Sequence, residues 1–272
     1  MINIINLRTI ICMVIVAAFC CFVCENAVAY TEGDIHEYEN FRYIIKDGKV
    51  KIIEADYTDE MAKKYNKTVI IPNRINGMKV VDVRKGAFSN GYVGLEADVS
   101  TIKCSDYMSY VHMDSFNDLR DTIWGAKKIE LGKYTKSFNA EYWNNDENLL
   151  CLKKIEVPEK AKYLKVTKNG ALYSKDGKKL YAVPSKKKGS FKISSKTKTI
   201  CNNAFFLSHL DMVKIPKSVT KISKRAFAYF DTWSEEEGKY KVIKMPRNRM
   251  KKFKKIIAPV THNLSYIKVV GY

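Results

Sequence analysis

The stretch "DMVKIPKSVTKISKRAFAYF", Asp211 to Phe230, sets Val213 and Ile215 on either side of one lysine, follows them with a proline, and moves on to Ala226-Phe227. Just upstream, "FKISSKTKTICNNAF" (Phe191 to Phe205) repeats the plan, and Phe205 and Phe227 stand 22 residues apart. In each copy a branched aliphatic residue, Ile200 or Ile222, stands five positions before the phenylalanine. Val83 bears the same relation to Phe88, and Val111 to Phe116, where serine replaces the alanine. Phe138 follows Phe116 by 22 residues but lacks the aliphatic.

The first half of the unit recurs as well. It reads "VIIP", "IKC", "IEL", "IEVP", "FKI", "VKIP" and "IKMP", beginning at Val69, Ile102, Ile129, Ile155, Phe191, Val213 and Ile243. A period of about 20–29 residues, stretched by insertions, is the signature of a leucine-rich-repeat solenoid. The physics of the unit supports this. Apolar-x-apolar turns two side chains to one face of a strand and the middle one to the other. Proline ends the strand because it has no amide hydrogen to donate. One repeat cannot cover its own apolar face, so copies must stack. The expected fold is a β-rich solenoid, a parallel sheet with short helices or turns and β-hairpin insertions. Phe88, Phe116, Phe138, Phe205 and Phe227 are expected to form one continuous buried column.

Two segments carry a different signal. "YIIKDGKVKII" (Tyr43 to Ile53) and "NGALYSKDGKKLYAVP" (Asn169 to Pro184) place Asp47-Gly48 and Asp176-Gly177 between alternating strands. Asp-Gly in that setting marks a tight hairpin, whose turn needs positive φ angles. The first hairpin is expected to cap the solenoid's N-terminal end, and the second to sit between repeats.

Together, "NGALYSKDGKKLYAVP", "TICNNAF", "VKIPKSVTKISKRAF" and "VIIPNRINGMKVVDVRKGAF" resemble the BspA-like leucine-rich repeats of secreted and surface proteins of anaerobic bacteria. The resemblance covers about residues 41–257 and loosens between 91 and 150, where aromatic and acidic insertions break the period. It implies a parallel-sheet solenoid with a role in binding or adhesion, and no catalytic residues. The expected organisation is a leader over 1–29, an N-terminal capping hairpin region over 30–68, the solenoid over 69–257, and a C-terminal tail over 258–272.

The leader is read from Arg8, the apolar run Ile10 to Val23, and "AVA" ending at Ala29. That run is 14 residues long, short of the roughly 20 a spanning helix needs. A basic residue, a short apolar core and a small-x-small site make a secretory signal, with cleavage expected between Ala29 and Tyr30. The remainder is expected to be secreted or held at the cell surface, with no transmembrane segment. The ending "SYIKVVGY" shows no hydrophobic sorting tail.

Of seven cysteines, Cys104, Cys151 and Cys201 lie beyond the leader. Three widely spaced thiols make neither a disulfide framework nor a zinc pattern, although one bridge among them stays open. The histidines, His36, His112, His209 and His262, sit in no H-E-x-x-H motif, and no glycine-rich phosphate loop or G-x-S-x-G elbow occurs. Cys151 or Cys201 with His209 is a conceivable thiol pair, but Cys201 follows Ile200 within the repeat, and packing explains it better. Asp56, Asp59 and Glu60 lack calcium-loop spacing and read as a solvated turn. Asp114, Asp118 and Asp121 read as an exposed helical face. No cofactor and no metal are expected.

The formal charge is +19. Arg8 and Glu25 cancel within the leader, so the remainder keeps all of it. Composition alone offers one explanation, since lysine, isoleucine, tyrosine and asparagine abound together. Attraction to polyanions offers another. The middle residues Lys103, Glu130, Glu156, Lys192, Lys214 and Lys244 are expected in one row on the concave face. A second cluster, "RNRMKKFKK", holds Arg247, Arg249, Lys251, Lys252, Lys254 and Lys255, with Met250, Phe253 and Ile257 as an apolar helical stripe that caps the last repeat.

Two function classes follow. The first is a secreted, non-enzymatic binding or adhesion protein whose partner is an extracellular protein or an anionic cell-wall or host glycan. Nucleic acid is not the expected partner of an exported chain. The second is an extracellular carbohydrate-active enzyme with its site in residues 91–150, where Trp124, Tyr142 and Trp143 are stacking candidates. Export is tested by mass spectrometry of the secreted protein. Tyr30 is expected as its first residue, and a membrane-bound form retaining Met1 would contradict the reading.

Overall fold

The computed structural model describes residues 33–88, 99–116, 126–141, 152–231, 238, 240–257 and 264–272, leaving aside the side chains of Asp59 and Ile257. The leader with its cleavage site, Trp124, Tyr142, Trp143, Cys151, Asp118, Asp121 and His262 lie outside the described residues.

The chain opens with three antiparallel strands, β1 (Ile35–Tyr38), β2 (Phe41–Lys46) and β3 (Lys49–Ala55), then helix α1 (Asp59–Lys64). Asp47 and Gly48 both have positive φ, +50° and +62°, which is what a two-residue hairpin turn with matching strand twist requires. Thr58 caps α1, its hydroxyl accepting from the Met61 amide at 3.3 Å. Asp59 and Glu60 therefore open a helix rather than a solvated turn, a place where carboxylates oppose the helix dipole favourably.

Two strands per turn of chain follow. The first of each pair comprises β4 (Thr68–Ile70), β7 (Thr101–Lys103), β9 (Lys128–Glu130) and β11 (Lys154–Glu156). These form one parallel sheet in which Val69, Ile102, Ile129 and Ile155 are direct partners. The second of each pair was not anticipated. Val83 ends β6 (Met78–Val83), which antiparallel β5 (Arg74–Ile75) flanks and which pairs in parallel with β3. Val111 lies in β8 (Tyr110–His112), and β10 (Ser137–Asn139) pairs with it. The aliphatic five residues before each phenylalanine is thus a strand residue in a second parallel ladder.

The hairpin insertion follows as β12 (Leu164–Val166), β13 (Leu172–Ser174) and β14 (Lys179–Ala182), all antiparallel. Its turn differs from that of the first hairpin. Only Gly177 has positive φ, +77°, and the loop is longer. The Asp176 carboxylate closes it by accepting from the Lys178 amide at 3.0 Å and the Ser174 hydroxyl at 2.6 Å. β14 then starts a new second-strand ladder, with β16 (Thr199–Ile200) and β18 (Lys221–Ile222) stacked in parallel on it. The first-strand ladder resumes as β15 (Gly189–Lys192), β17 (Leu210–Lys214), β19 (Lys241–Met245) and β20 (Ile267–Gly271), with Phe191, Val213, Ile243 and Val269 in register. Residues beyond 257 are therefore not merely a tail, because β20 adds an edge strand to the sheet. Helix α2 (Met250–Ile257) lies in the chain between β19 and β20.

The phenylalanines do not form one column. Phe88 and Phe116 contact each other at 5.4 Å between centroids. Phe205 stacks on Phe227 at 4.7 Å with ring planes 11° apart, and Phe227 meets Phe253 of α2 edge-on at 5.4 Å. Phe138 belongs to neither stack. It is buried, but it sits in β10 directly opposite Val111, in the place of the aliphatic it was thought to lack. Phe227 touches rings on both sides, so its truncation leaves a cavity between two repeats. Phe227→Ala is expected to cost about 3–5 kcal/mol, a large part of the roughly 5–15 kcal/mol of a domain. A chemical-denaturation series measures it, and an unchanged midpoint would contradict the stacking.

Candidate ligand-binding surface

Parallel strands in register place equivalent side chains in rows about 4.8 Å apart. The outward position after each buried core residue gives Ile70, Lys103, Glu130 and Glu156 in the first sheet, and Lys192, Lys214, Lys244 and Val270 in the last. The expected single row is two rows, in separately hydrogen-bonded sheets. They differ in chemistry.

In the first sheet the acids are matched. Two positions earlier on the same face lie Lys128 and Lys154. Lys128 bonds Glu130 at 2.5 Å and reaches Glu156 at 3.4 Å, and Lys154 pairs with Glu156. Hydrogen bonding from Lys154, with Lys128 nearby, holds the Glu156 carboxyl below the usual carboxylate range. The Lys-x-Glu spacing was visible in the sequence, and period-2 alternation puts both residues on one face.

In the last sheet nothing matches the charge. Lys192, Lys214 and Lys244 are direct cross-strand partners, all exposed, and none makes an ion pair. Like charges directly opposite destabilise a sheet, by roughly 0.8 kcal/mol per pair at about 5 Å in bulk water. Aromatic rings border the row. The Lys214 ammonium lies 4.9 Å from the centroid of Tyr272, whose hydroxyl donates to the Ile215 carbonyl at 2.7 Å. The Lys268 ammonium lies 3.7 Å from the centroid of exposed Tyr240. Neither tyrosine was singled out from the sequence, because each joins the face only through pairing of β19 with β20.

The "RNRMKKFKK" cluster folds as a 3-10 turn (Arg247–Arg249) and α2. Phe253 is buried, and Met250 is partly buried against the same core. Arg247, Lys251, Lys252, Lys254 and Lys255 are exposed and Arg249 is half-buried. None of these cations makes an ion pair.

A separate polar network runs across successive turns. Lys85 contacts the buried Asp114 carboxylate at 2.8 Å, and the Asp114 amide donates to His112 Nδ1 at 3.1 Å. His112 Nε2 meets the Asn139 side-chain amide at 3.0 Å. Asn203 donates to Asn139 at 2.9 Å and to Glu141 at 3.1 Å, and Arg225 donates to Glu141 at 2.6 Å. Asp114 is 1% exposed, so it is not part of a solvated acidic face. Both ring nitrogens of His112 are engaged within this network, and the bonds link four repeats. The arrangement fixes register rather than presenting a base to a substrate.

The imagined thiol site finds no support in its electrostatics. Burial pushes the Cys201 thiol up to about 11, against the pull of Lys179 and Lys221, and pushes Cys104 up to about 12. An activated cysteine needs the opposite shift. Both are free thiols. Among the described residues no group of three or more His, Cys, Asp or Glu is arranged to hold a metal, and no helix is long and apolar enough to cross a membrane.

The two parallel ladders, the residue-for-residue register and the repeat period define a leucine-rich-repeat solenoid. No protein-family model matches the chain, and no curated protein matches it. Among solved structures it is similar to a leucine-rich repeat protein from Eubacterium ventriosum, with 16% identity and a TM-score of 0.40 over 78% of this chain. The chain spans 65% of that protein's length. It is also similar to a leucine-rich cell surface protein from Faecalibacterium prausnitzii (12% identity, TM-score 0.29, covering 71% of this chain and 73% of that one). A third is the pneumococcal vaccine antigen PcpA (11%, 0.26, covering 89% and 99%). The fold assignment rests on this chain's own ladders.

The histidines give a pH test. Burial, then Lys186, Lys241 and Lys188, lowers His209 to about 4, and burial also lowers His112. Both are held neutral in the folded state, while an unfolded histidine takes its proton near pH 6.5. The unfolded chain binds more protons as pH falls, so stability present above about 6.5 declines toward pH 4. For each histidine the slope is at most about 1.4 kcal/mol per pH unit. Denaturation midpoints between pH 7 and 4 are expected to fall, and to fall less in His209→Gln.

Proposed function

We propose that this protein is a non-enzymatic binding protein of the cell exterior, and that the outer face of the last sheet holds an anionic ligand. The observation that carries this reading is the row Lys192, Lys214 and Lys244. Three exposed ammonium groups in direct register, without a counter-ion in the chain, are an arrangement that folding alone disfavours. The same outward position in the first sheet has acids matched by Lys128 and Lys154, so composition by itself does not produce the row. An anion laid across the strands relieves the repulsion. Repeating charges about 5 Å apart suit a polymer such as a sulfated or phosphorylated glycan, with Tyr240 and Tyr272 at the border for sugar faces. The basic residues Arg247, Arg249, Lys251, Lys252, Lys254 and Lys255 add attraction at longer range. An exported chain meets such polymers on cell walls and host surfaces, whereas nucleic acid is a less apt partner.

Exposed charges act over a Debye length of about 8 Å at physiological salt, so binding of this kind weakens steeply as salt rises. Retention on immobilised heparin and on purified anionic wall polymer measures it. The combined Lys192→Glu, Lys214→Glu and Lys244→Glu variant is expected to elute at clearly lower salt than the parent. Equal elution, or retention that ignores salt, would sink the assignment of the face.

A further inference from the structure

The second-strand ladder stops before the first-strand ladder does. Lys178 and Leu180 of one turn offer their carbonyls to the next, where the amides of Lys198 and Thr199 donate to Lys178 and that of Cys201 to Leu180. The pattern repeats one turn on. Thr220 and Lys221 donate to Lys198, and Ser223 donates to Ile200. By the same register the next acceptors are the carbonyls of Thr220 and Ile222. No strand follows β18, and no hydrogen bond ends on either carbonyl.

The sequence explains the stop. After Pro216 the chain reads Ser218-Val-Thr-Lys-Ile222, with two β-branched residues ahead of Ile222. After Pro246 the corresponding five residues are Asn248-Arg-Met-Lys-Lys252, which favour helix over strand. Helix α2 therefore stands where the next strand of this ladder belongs. It covers Phe227 with Phe253 but offers β18 no amides.

A cavity of about 280 Å³ remains between β18 and α2. Buried Val219 and Phe253 and half-buried Ile222 give it an apolar interior. Exposed Lys221 and Lys252 and half-buried Arg249 line it as well, and no lining residue is acidic.

We propose that this cleft takes an extended acidic peptide segment of a partner protein, which adds to the ladder as a strand parallel to β18. Three independent features point to one occupant. The open carbonyls of Thr220 and Ile222 require a donor of regularly spaced N–H groups, which a peptide backbone is and a glycan is not. The apolar interior takes the side chains that alternate inward from such a strand. Lys221, Arg249 and Lys252 match acids on its other residues. Backbone pairing supplies general affinity and the pocket and charges supply selection, as in other strand-addition complexes. The site is distinct from the face of Lys192, Lys214 and Lys244, so either assignment can fail without the other.

The test uses the full-length protein and a fluorescein-labelled heptapeptide alternating glutamate with valine, followed by fluorescence anisotropy. Saturable binding is expected. It should weaken at least about tenfold in the combined Arg249→Glu and Lys252→Glu variant, be lost when alternate peptide amides are N-methylated, and persist in the Lys192→Glu, Lys214→Glu, Lys244→Glu variant. The N-methylated peptide keeps the test decisive even if the Arg249→Glu and Lys252→Glu variant does not fold. Absence of saturable binding, equal affinity of the N-methylated peptide, or concentration-dependent dimerisation that the Arg249→Glu and Lys252→Glu changes abolish would each overturn the proposal, the last by assigning the cleft to a second copy.

Discussion

Lys198 gives its carbonyl oxygen to two amides of the following turn, Thr220 and Lys221, and takes for its own amide the carbonyl of Lys178 in the preceding one. This exchange recurs wherever the parallel ladders run. A short strand of two or three residues can satisfy none of its outward backbone groups alone, and a buried unpaired amide or carbonyl is costly. Each turn is therefore stable only against its neighbours. That dependence dictates the period, since a turn of the wrong length would offset every bond above it. It also dictates burial. Once Phe191, Val213, Ile243 and Val269 are in register, their side chains form a ridge that water can reach only at the ends.

The ends need separate solutions. At the N-terminal side the β1–β2–β3 hairpin layer supplies antiparallel partners, and β3 turns its other edge to β6. At the C-terminal side the two ladders part. The first-strand ladder gains β20, whereas the second ends at β18 under helix α2. A helix can cover the ring of Phe227 but cannot continue a strand's hydrogen bonding, because its own amides point along its axis. Closing the hydrophobic core and leaving a polar edge open are thus one structural event.

How much of this the sequence disclosed follows from the size of each signal. The first strands were legible down to the partner residue, because apolar-x-apolar repeats seven times with proline or a turn after it. The second strands were not. They span two to six residues and announce themselves by one aliphatic, so Val111 and Ile222 looked like spacers before a phenylalanine. Phe138 was misplaced for the same reason, since counting 22 residues from Phe116 ignores that its own side chain fills the strand position. β20 lies far from β19 in sequence and matches no repeat. Asp114 looked solvent-facing because helical spacing to Asp118 and Asp121 outweighed its neighbour His112. The row of lysines was legible residue by residue, but not its division, because only pairing shows that Glu156 and Lys192 belong to different sheets.

That division decides what the charge can do. A solenoid converts a period in sequence into a row in space, so one residue type at one repeat position becomes a line of charge with a spacing fixed by the backbone. In the first sheet a lysine two residues earlier returns each glutamate to balance. In the last sheet the equivalent positions hold Ser190, Met212 and Val242, none of which can neutralise a neighbour. Isolated surface lysines would swing apart and lose their repulsion to water, but strands hold these Cα atoms about 4.8 Å apart whatever the side chains do. The side chains can spread only at their tips, and Lys214 is already drawn toward Tyr272. The mutual repulsion is consequently a property of the folded state that the unfolded chain lacks. An anion bridging the row stabilises the fold as it binds, by the usual linkage between ligand and native state. The direction of that coupling separates a site from a composition. Scattered charge attracts counter-ions without gaining stability from any one of them, whereas a registered row gains most from a ligand that repeats at its own spacing.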